Sequence, residues 1–167
     1  MLAVTIKPEA VDPEDVEMLQ DLIVAAVAAL QEYTAPLMLI DMGTATTITV
    51  VDQGNNYIGG AIIPGVRVSA EALSSRAAQL PGIQLDRPKR AIGKNTIECM
   101  RSGIMYGAAA MLDGMVERME AELGKPVTVV ATGGIAQFIV PLCKREMTIE
   151  KDLLLKGLNV IYKKNKK

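Results

Sequence analysis

The stretch Asp41-Met42-Gly43-Thr44-Ala45-Thr46-Thr47 lies between two apolar runs, Leu37–Ile40 and Ile48–Val51. A minimal hairpin needs only two turn residues, commonly Asn-Gly or Asp-Gly. This one opens on a carboxylate, follows it with a glycine that lets a ligand approach the backbone, and adds three threonine hydroxyls. Turn chemistry by itself fits a polar β-turn capped by Asp41 as well as it fits a phosphate-binding turn.

Working outward, the turn Q-G-N-N is followed by a third extended segment, Y-I-G-G-A-I-I-P-G, ending at Gly65. Three consecutive strands with short connections predict an antiparallel meander. Upstream, the first dozen residues read as a short strand and a loop. Asp12 is placed to cap a helix that Pro13 begins, with Glu14 and Asp15 in its first turn. Val16, Leu19, Ile23, Val27 and Leu30 follow at helical spacing, and L-I-V-A-A-V-A-A-L is apolar almost all round, which predicts a largely buried helix.

Downstream, Val66–Leu80 reads as a helix and P-G-I-Q-L-D-R-P-K as a loop. Asn95, with Glu98 in the capping-box position, begins a long helix to about Leu123. Gly103, Gly107, Ala108–Ala110 and Gly114 give that helix a small-residue face suited to close packing on a neighbouring helix or subunit. Pro126–Ala131 is a buried strand running into T-G-G-I-A and another helix. Strand, glycine pair and helix let phosphate or ribose approach a helix N-terminus, and a tight βα turn explains the same residues about as well. Thr148–Tyr162 is expected to be a last amphipathic helix, with Leu153, Leu154, Leu158 and Ile161 on its apolar side. No repeat or low-complexity linker interrupts the chain, so a single unit over residues 1–167 is expected.

Composition narrows the chemistry. Half the residues are apolar, 22% are charged and the net charge is −1, which fits a globular chain without a nucleic-acid-binding surface. The basic cluster at Lys163–Lys167 is a solvated terminus. No apolar run reaches transmembrane length, and Met1–Ile6 is too short and uncharged for a signal peptide, so a cytoplasmic protein without membrane partners is expected. Cys99 and Cys143 lack C-x-x-C spacing and are expected to be core thiols in a reducing compartment. The chain has no histidine, which removes Ser-His and Cys-His nucleophile pairs. Proton transfer near neutral pH then falls to Asp, Glu, Lys, Tyr or Cys. Aromatic residues are only 3%, too few for stacked-base recognition.

Taken together, the order of elements resembles the α/β, ribonuclease H-like (actin-like ATPase) lobe found in acetate kinase, sugar kinases, heat-shock chaperones and actin: a mixed sheet with an antiparallel meander, flanked by helices. More narrowly, D-M-G-T-A-T-T, G-G-A-I-I-P-G, I-G-K-N-T-I-E-C-M-R-S-G-I-M-Y-G, A-T-G-G-I-A and L-L-L-K-G-L-N-V-I-Y-K-K-N resemble type III pantothenate kinase. The pieces run in order from about Leu19 to Asn165.

That resemblance implies ATP-dependent phosphorylation of pantothenate, the entry step to coenzyme A, using ATP, Mg2+ and a monovalent cation (K+ or NH4+). It implies that Asp21 is the catalytic base and that Asp41 contributes to the cation site. Gly43, Thr44, Thr46 and Thr47 would meet the ATP phosphates, and Gly133 and Gly134 the adenosine side. Thr96, in G-K-N-T, looks like the pantothenate-contacting threonine, and Gly65 is placed with it among substrate-binding residues. A homodimer is implied too. The chemistry is compatible, because phosphoryl transfer rests on positioning and charge neutralisation and needs no histidine.

Two features depart from the family's pattern. The first lobe, which opens with a D-x-G-N-T phosphate loop, has no counterpart here. Beside the expected base, the family's G-x-D-R reads L-Q-D-L, Leu19 to Leu22, so the glycine and the substrate-binding arginine are replaced. The chain thus corresponds to the C-terminal lobe of such a kinase, as an excised fragment, a gene truncation or one part of a split enzyme with a companion N-terminal lobe. The alternative is a catalytically inactive relative that binds a nucleotide or a partner, in which Asp21 is an ordinary polar residue of a buried helix.

Overall fold

The computed structural model describes residues 5–6 and 16–166, with side chains in the first helix described from Leu22 onward. The expected helix start at Asp12-Pro13 lies outside the described residues. The elements are β1 (Thr5–Ile6), α1 (Val16–Glu32), β2 (Leu37–Met42), β3 (Ala45–Val51), β4 (Asn56–Pro64), α2 (Val66–Arg76), α3 (Thr96–Leu123), β5 (Thr128–Thr132), α4 (Ala136–Ile139), β6 (Thr148–Ile149) and α5 (Leu153–Asn165). The strands form one six-stranded sheet in the order β1-β4-β3-β2-β5-β6.

β2, β3 and β4 are the expected antiparallel meander, with Asp41 opposite Thr47 and Thr47 opposite Ile62. β5 joins β2 in parallel, setting Asp41 opposite Thr132. Central strands covered on both faces read as unbroken apolar runs, which is why L-M-L-I shows no polar alternation. Met38, Ile40 and Met42 enter one core with Met105, Ala109, Leu112 and Val116 of α3. Leu37 and Leu39 enter a second core with Ala26, Ala29 and Leu30 of α1 and Leu153 of α5. Fully burying each such leucine or methionine is worth roughly 1.5–3 kcal/mol, so this two-sided burial outweighs any local preference of the segment.

α3 begins and ends where its caps dictate. The Asn95 side chain accepts the backbone N–H of Glu98 at 2.9 Å, and the Glu98 carboxylate accepts that of Lys94 at 3.0 Å. The backbone hydrogen bond from Lys94 holds the Glu98 carboxyl below its ordinary pKa. At the other end Gly124 adopts the left-handed conformation that closes the helix.

Three expected elements differ. α2 stops at Arg76 instead of Leu80: Ala77 is extended, and a turn closed by Leu80 N–H donating to Ala77 O leads into Pro81, which disfavours helix at the residue before it. The helix after T-G-G is a single turn that passes into a 3-10 turn at Val140–Leu142, where Pro141 lacks the N–H needed to continue. Thr148 and Ile149 are not helical. They form the edge strand β6, parallel to Val130 and Ala131, as suits β-branched residues. α5 therefore starts at Leu153, and it turns Leu153 and Gly157 inward onto α1, leaving Leu154 and Leu158 exposed instead of buried.

An ionic network ties α5 down. Lys156 Nζ donates to Glu32 at the end of α1 and to Glu150, each at 2.8 Å, while the Tyr33 hydroxyl donates to the other Glu150 oxygen at 3.0 Å.

Candidate functional site

β2 and β5 both end at the same edge of the sheet, and β3 starts there, so the expected motifs converge at that edge. The turn of the β2–β3 hairpin is shorter than the quoted motif, because Asp41 and Met42 still belong to β2 and Thr46 and Thr47 already belong to β3. Only Gly43 and Thr44 turn. The Gly43 N–H donates to Ala45 O, and the N–H of Gly65 donates to Thr44 O, both at 3.0 Å.

Residues opposite one another in a ladder share a face. Thr47, Asp41 and Thr132 therefore form a polar row across β3, β2 and β5. On that face, between α1 and α5, lies a cavity of about 160 Å3, with Asp41, Thr47, Thr49 and Thr132 among its walls and Leu22 of α1 and Leu154 of α5 on the helical side. Asp41, in the middle of the row, is exposed, whereas Thr132 beside it and Thr49 deeper on the same face are buried.

On the other side of the turn a second cleft of about 410 Å3 is lined by Gly43, Thr44, Gly134 and Ile135 together with Arg67 and Glu71 from one face of α2. Gly133 stands in the chain between Thr132 of the first cleft and Gly134 of the second. It has φ +95°, and a Cβ there would come within 2.5 Å of Met42 O. Gly65 packs as tightly, since a Cβ would come within 2.2 Å of Thr44 O, so this buried glycine lies against the turn and starts α2.

The structure thus brings Asp41 and Thr47 together in one cleft, and Gly43, Thr44 and Gly134 together in the other. Thr46 is not with them. Side chains alternate along a strand, so Thr46 faces the α3 side with Met42 and is fully buried, and its Oγ1 has no hydrogen-bond partner among the described residues. Thr96 is exposed at the first turn of α3 and lines neither cleft. Asp21 belongs to α1, immediately before Leu22, but its side chain lies outside the described residues. Thr49, Thr132, Arg67 and Glu71 were not singled out from the sequence. Thr132 sits in A-T-G-G, yet only the parallel β2–β5 register sets it beside Asp41.

The thiols differ from expectation. Cys99 is exposed in the first turn of α3 and is not a core thiol. Cys143 is half-buried, and burial pushes its pKa up to about 12. Among the described residues, no three acidic or cysteine side chains gather closely enough to hold a metal by themselves, so a cation at Asp41 would draw on other oxygens too. No helix there is long and apolar enough to cross a membrane.

Residues 8–118, more than half of the chain, match the type III pantothenate kinase family. The chain belongs to that family. A type III pantothenate kinase of Rhodospirillum rubrum is 48% identical over 145 residues, which cover 87% of this chain and 56% of that protein. One of Moorella thermoacetica is 44% identical, with 87% of this chain and 57% of that protein covered. The chain therefore spans little more than half the length of these type III pantothenate kinases. Among solved structures, a protein described as a Baf family transcriptional activator from Campylobacter jejuni superposes with a TM-score of 0.61 at 22% identity, covering 87% of this chain and 66% of that one. The activator of 2-hydroxyisocaproyl-CoA dehydratase from Clostridium difficile, solved with bound ADPNP, superposes at 0.55 with 15% identity, covering 87% and 68%. At such identities the likeness speaks for the fold, an actin-like ATPase lobe. Leu22, expected from the sequence to stand where the family pattern G-x-D-R has arginine, lines the cavity that holds Asp41.

Proposed function

We propose that this chain acts in the ATP-dependent phosphorylation of pantothenate, as the lobe that carries the cation site, one phosphate-binding turn and the adenosine-side turn. Family membership supports the reaction class. The observation that carries the assignment of the site is the row Thr47–Asp41–Thr132 beside the Gly43–Thr44 turn, where three strand ends converge on one carboxylate.

In this reading Thr44 and the Gly43 backbone meet phosphate oxygens, and Gly133 and Gly134 border the adenosine. Asp41, Thr47 and Thr132 offer only oxygen donors, which fits a hard cation such as K+ or Mg2+. Bound cations supply neutralisation of the phosphate charge. Asp21 accepts the proton of the attacking pantothenate hydroxyl, a task within a carboxylate's reach without any histidine. The small-residue face of α3 forms a homodimer contact: Gly103 and Gly107 are exposed, with open space where a Cβ would stand, so a second backbone can approach closely. The protein works in the cytoplasm, and a first lobe, bearing the D-x-G-N-T loop, completes the nucleotide cradle.

A second reading, nucleotide or partner binding without turnover, is favoured by Leu22, which leaves the pantothenate carboxylate without the family's arginine.

The test is steady-state turnover with ATP, Mg2+, K+ and saturating pantothenate, for the chain alone and with a first lobe. Residues 1–167 alone should show almost none, because loss of even one preorganised donor costs roughly 10²- to 10³-fold and these residues carry one phosphate turn where the family pattern has two. With the lobe, turnover should appear and should fall at least 100-fold in Asp41→Asn. Absence of turnover in the complemented protein, with ATP still bound, would establish the second reading instead.

A further inference from the structure

The cleft beside the Gly43–Thr44 turn does not end at α2. A further cleft of about 410 Å3 lies between α2, the loop around Ile83 and Leu85, and Phe138. The two share Arg67, Glu71 and Ile135, so they form one groove that runs from the turn to Phe138. Its chemistry changes along its length. One end offers the turn's backbone and the Thr44 hydroxyl. The other offers Ile83, Leu85 and Phe138, which is the single phenylalanine of the chain and 45% exposed. Between them stand two charged side chains one helical turn apart, Arg67 and Glu71. Among the described residues neither makes a hydrogen bond or an ion pair, so both heads are open to a ligand.

We propose that Glu71 reads the ribose hydroxyls of the phosphoryl donor and makes the groove selective for ribonucleotides over 2′-deoxyribonucleotides. The inference rests on the nucleotide assignment above, and it adds the residue that recognises the sugar. Position and hydrogen-bonding chemistry choose the ribose. An ionised carboxylate only accepts hydrogen bonds. The phosphates of a nucleotide offer it no donor and repel it, which leaves the sugar hydroxyls and the base. The Gly65 N–H donates to Thr44 O, so α2 starts at the phosphate turn and carries Glu71 about 9 Å along its axis from there. The base falls further along, where Ile83 and Leu85 give an apolar face and the Phe138 ring a surface to stack on. The vicinal 2′- and 3′-hydroxyls then meet the two oxygens of Glu71. Arg67, nearer the turn, offsets the charge of that carboxylate beside the phosphates. Ser74 does not compete for the sugar, since its hydroxyl already donates to Ala70 O at 2.9 Å. The far wall is fixed before any ligand arrives: Arg101 Nε donates to Gln84 O at 3.2 Å, and Leu85 packs against the core under α3.

The experiment is calorimetric titration of the full chain with ATP, 2′-deoxy-ATP and inorganic tripolyphosphate, each with Mg2+ and without pantothenate. The parent should bind ATP at least tenfold more tightly than 2′-deoxy-ATP, because losing one hydrogen bond to a charged group costs roughly 10- to 100-fold. Glu71 is exposed on α2, so Glu71→Ala keeps its fold, which circular dichroism confirms. It should bring the two nucleotides to within about twofold of each other, with no loss of tripolyphosphate affinity. Arg67→Gln is the contrast, and it should weaken all three ligands while the preference for ATP persists. Equal affinity of the parent for both nucleotides overturns the proposal, as does a preference that survives Glu71→Ala. A preference lost as fully in Arg67→Gln also overturns it, by taking the sugar away from Glu71. If ATP does not bind at all, the nucleotide assignment falls and this proposal falls with it. Binding is read without turnover, so selective binding by a chain that phosphorylates nothing counts against the kinase reading alone.

Discussion

Gly133 lies against the backbone of Met42, so closely that a Cβ at position 133 would come within 2.5 Å of the Met42 carbonyl oxygen and 2.8 Å of its nitrogen. This contact joins the end of β5 to the end of β2, and it sets the distance between the two glycine-containing turns that border the proposed nucleotide site.

Gly133→Ala should therefore destabilise the protein by roughly 2–4 kcal/mol, since the residue combines φ +95° with an immovable backbone neighbour. In thermal unfolding that corresponds to a fall of roughly 5–15 °C in a chain of this size. Gly134→Ala is the informative contrast. A Cβ at 134 meets open space, so its unfolding temperature should stay within about 2 °C of the parent, a surface-type effect. Equal losses in the two variants would show that the Met42 contact is not the constraint.

Thr46 and Thr47 should part company although they are adjacent. Thr46→Val removes a fully buried hydroxyl that has no partner, and it should stabilise the fold by about 1 kcal/mol without changing nucleotide affinity. Thr47→Val, in the Asp41 cavity, should leave stability nearly unchanged and weaken cation-dependent nucleotide binding several-fold. Chemical denaturation and calorimetric titration with ATP in K+ against Na+ separate the two. A loss of ATP affinity in Thr46→Val would return that hydroxyl to the phosphate site.

Leu22→Arg restores the residue of the family pattern in the wall of the Asp41 cavity. An ion pair with the pantothenate carboxylate is worth roughly 2–5 kcal/mol when desolvated. The variant should bind pantothenate at least tenfold more tightly by calorimetry, with ATP affinity unaltered. No gain in pantothenate affinity would mean that position 22 does not face the substrate.

The Glu150 carboxyl is held below its ordinary pKa of 4.5, first by the hydrogen bond from Lys156 and then by that from Tyr33. A carboxyl depressed in the folded state contributes stability that is present above its unfolded pKa and is lost as pH falls through the folded one. Unfolding temperature should therefore decline as pH drops below about 4.5, and Glu150→Gln should flatten that acid limb while lowering stability at neutral pH. Tyrosine fluorescence, summed over the four tyrosines of the chain, follows the melt. An acid limb of unchanged steepness in Glu150→Gln would assign the loss to other carboxylates.

The sequence by itself determined the elements whose causes are local. Apolar runs long enough to bury on both faces made β2 and β3, the Asn95–Glu98 pair and Gly124 bounded α3, and D-M-G-T-A-T-T with A-T-G-G identified the family. Tertiary structure decided everything that depends on which strand pairs with which. The parallel register of β5 on β2 set Thr132 beside Asp41, and strand alternation turned Thr46 away from its two neighbours in the motif. Edge pairing with β5 took Thr148 and Ile149 out of the expected helix, and that shift rotated α5 so that Leu154 and Leu158 face outward. Spacing along a chain encodes periodicity, but a pairing partner more than eighty residues away leaves no mark on it, and burial depends on that partner.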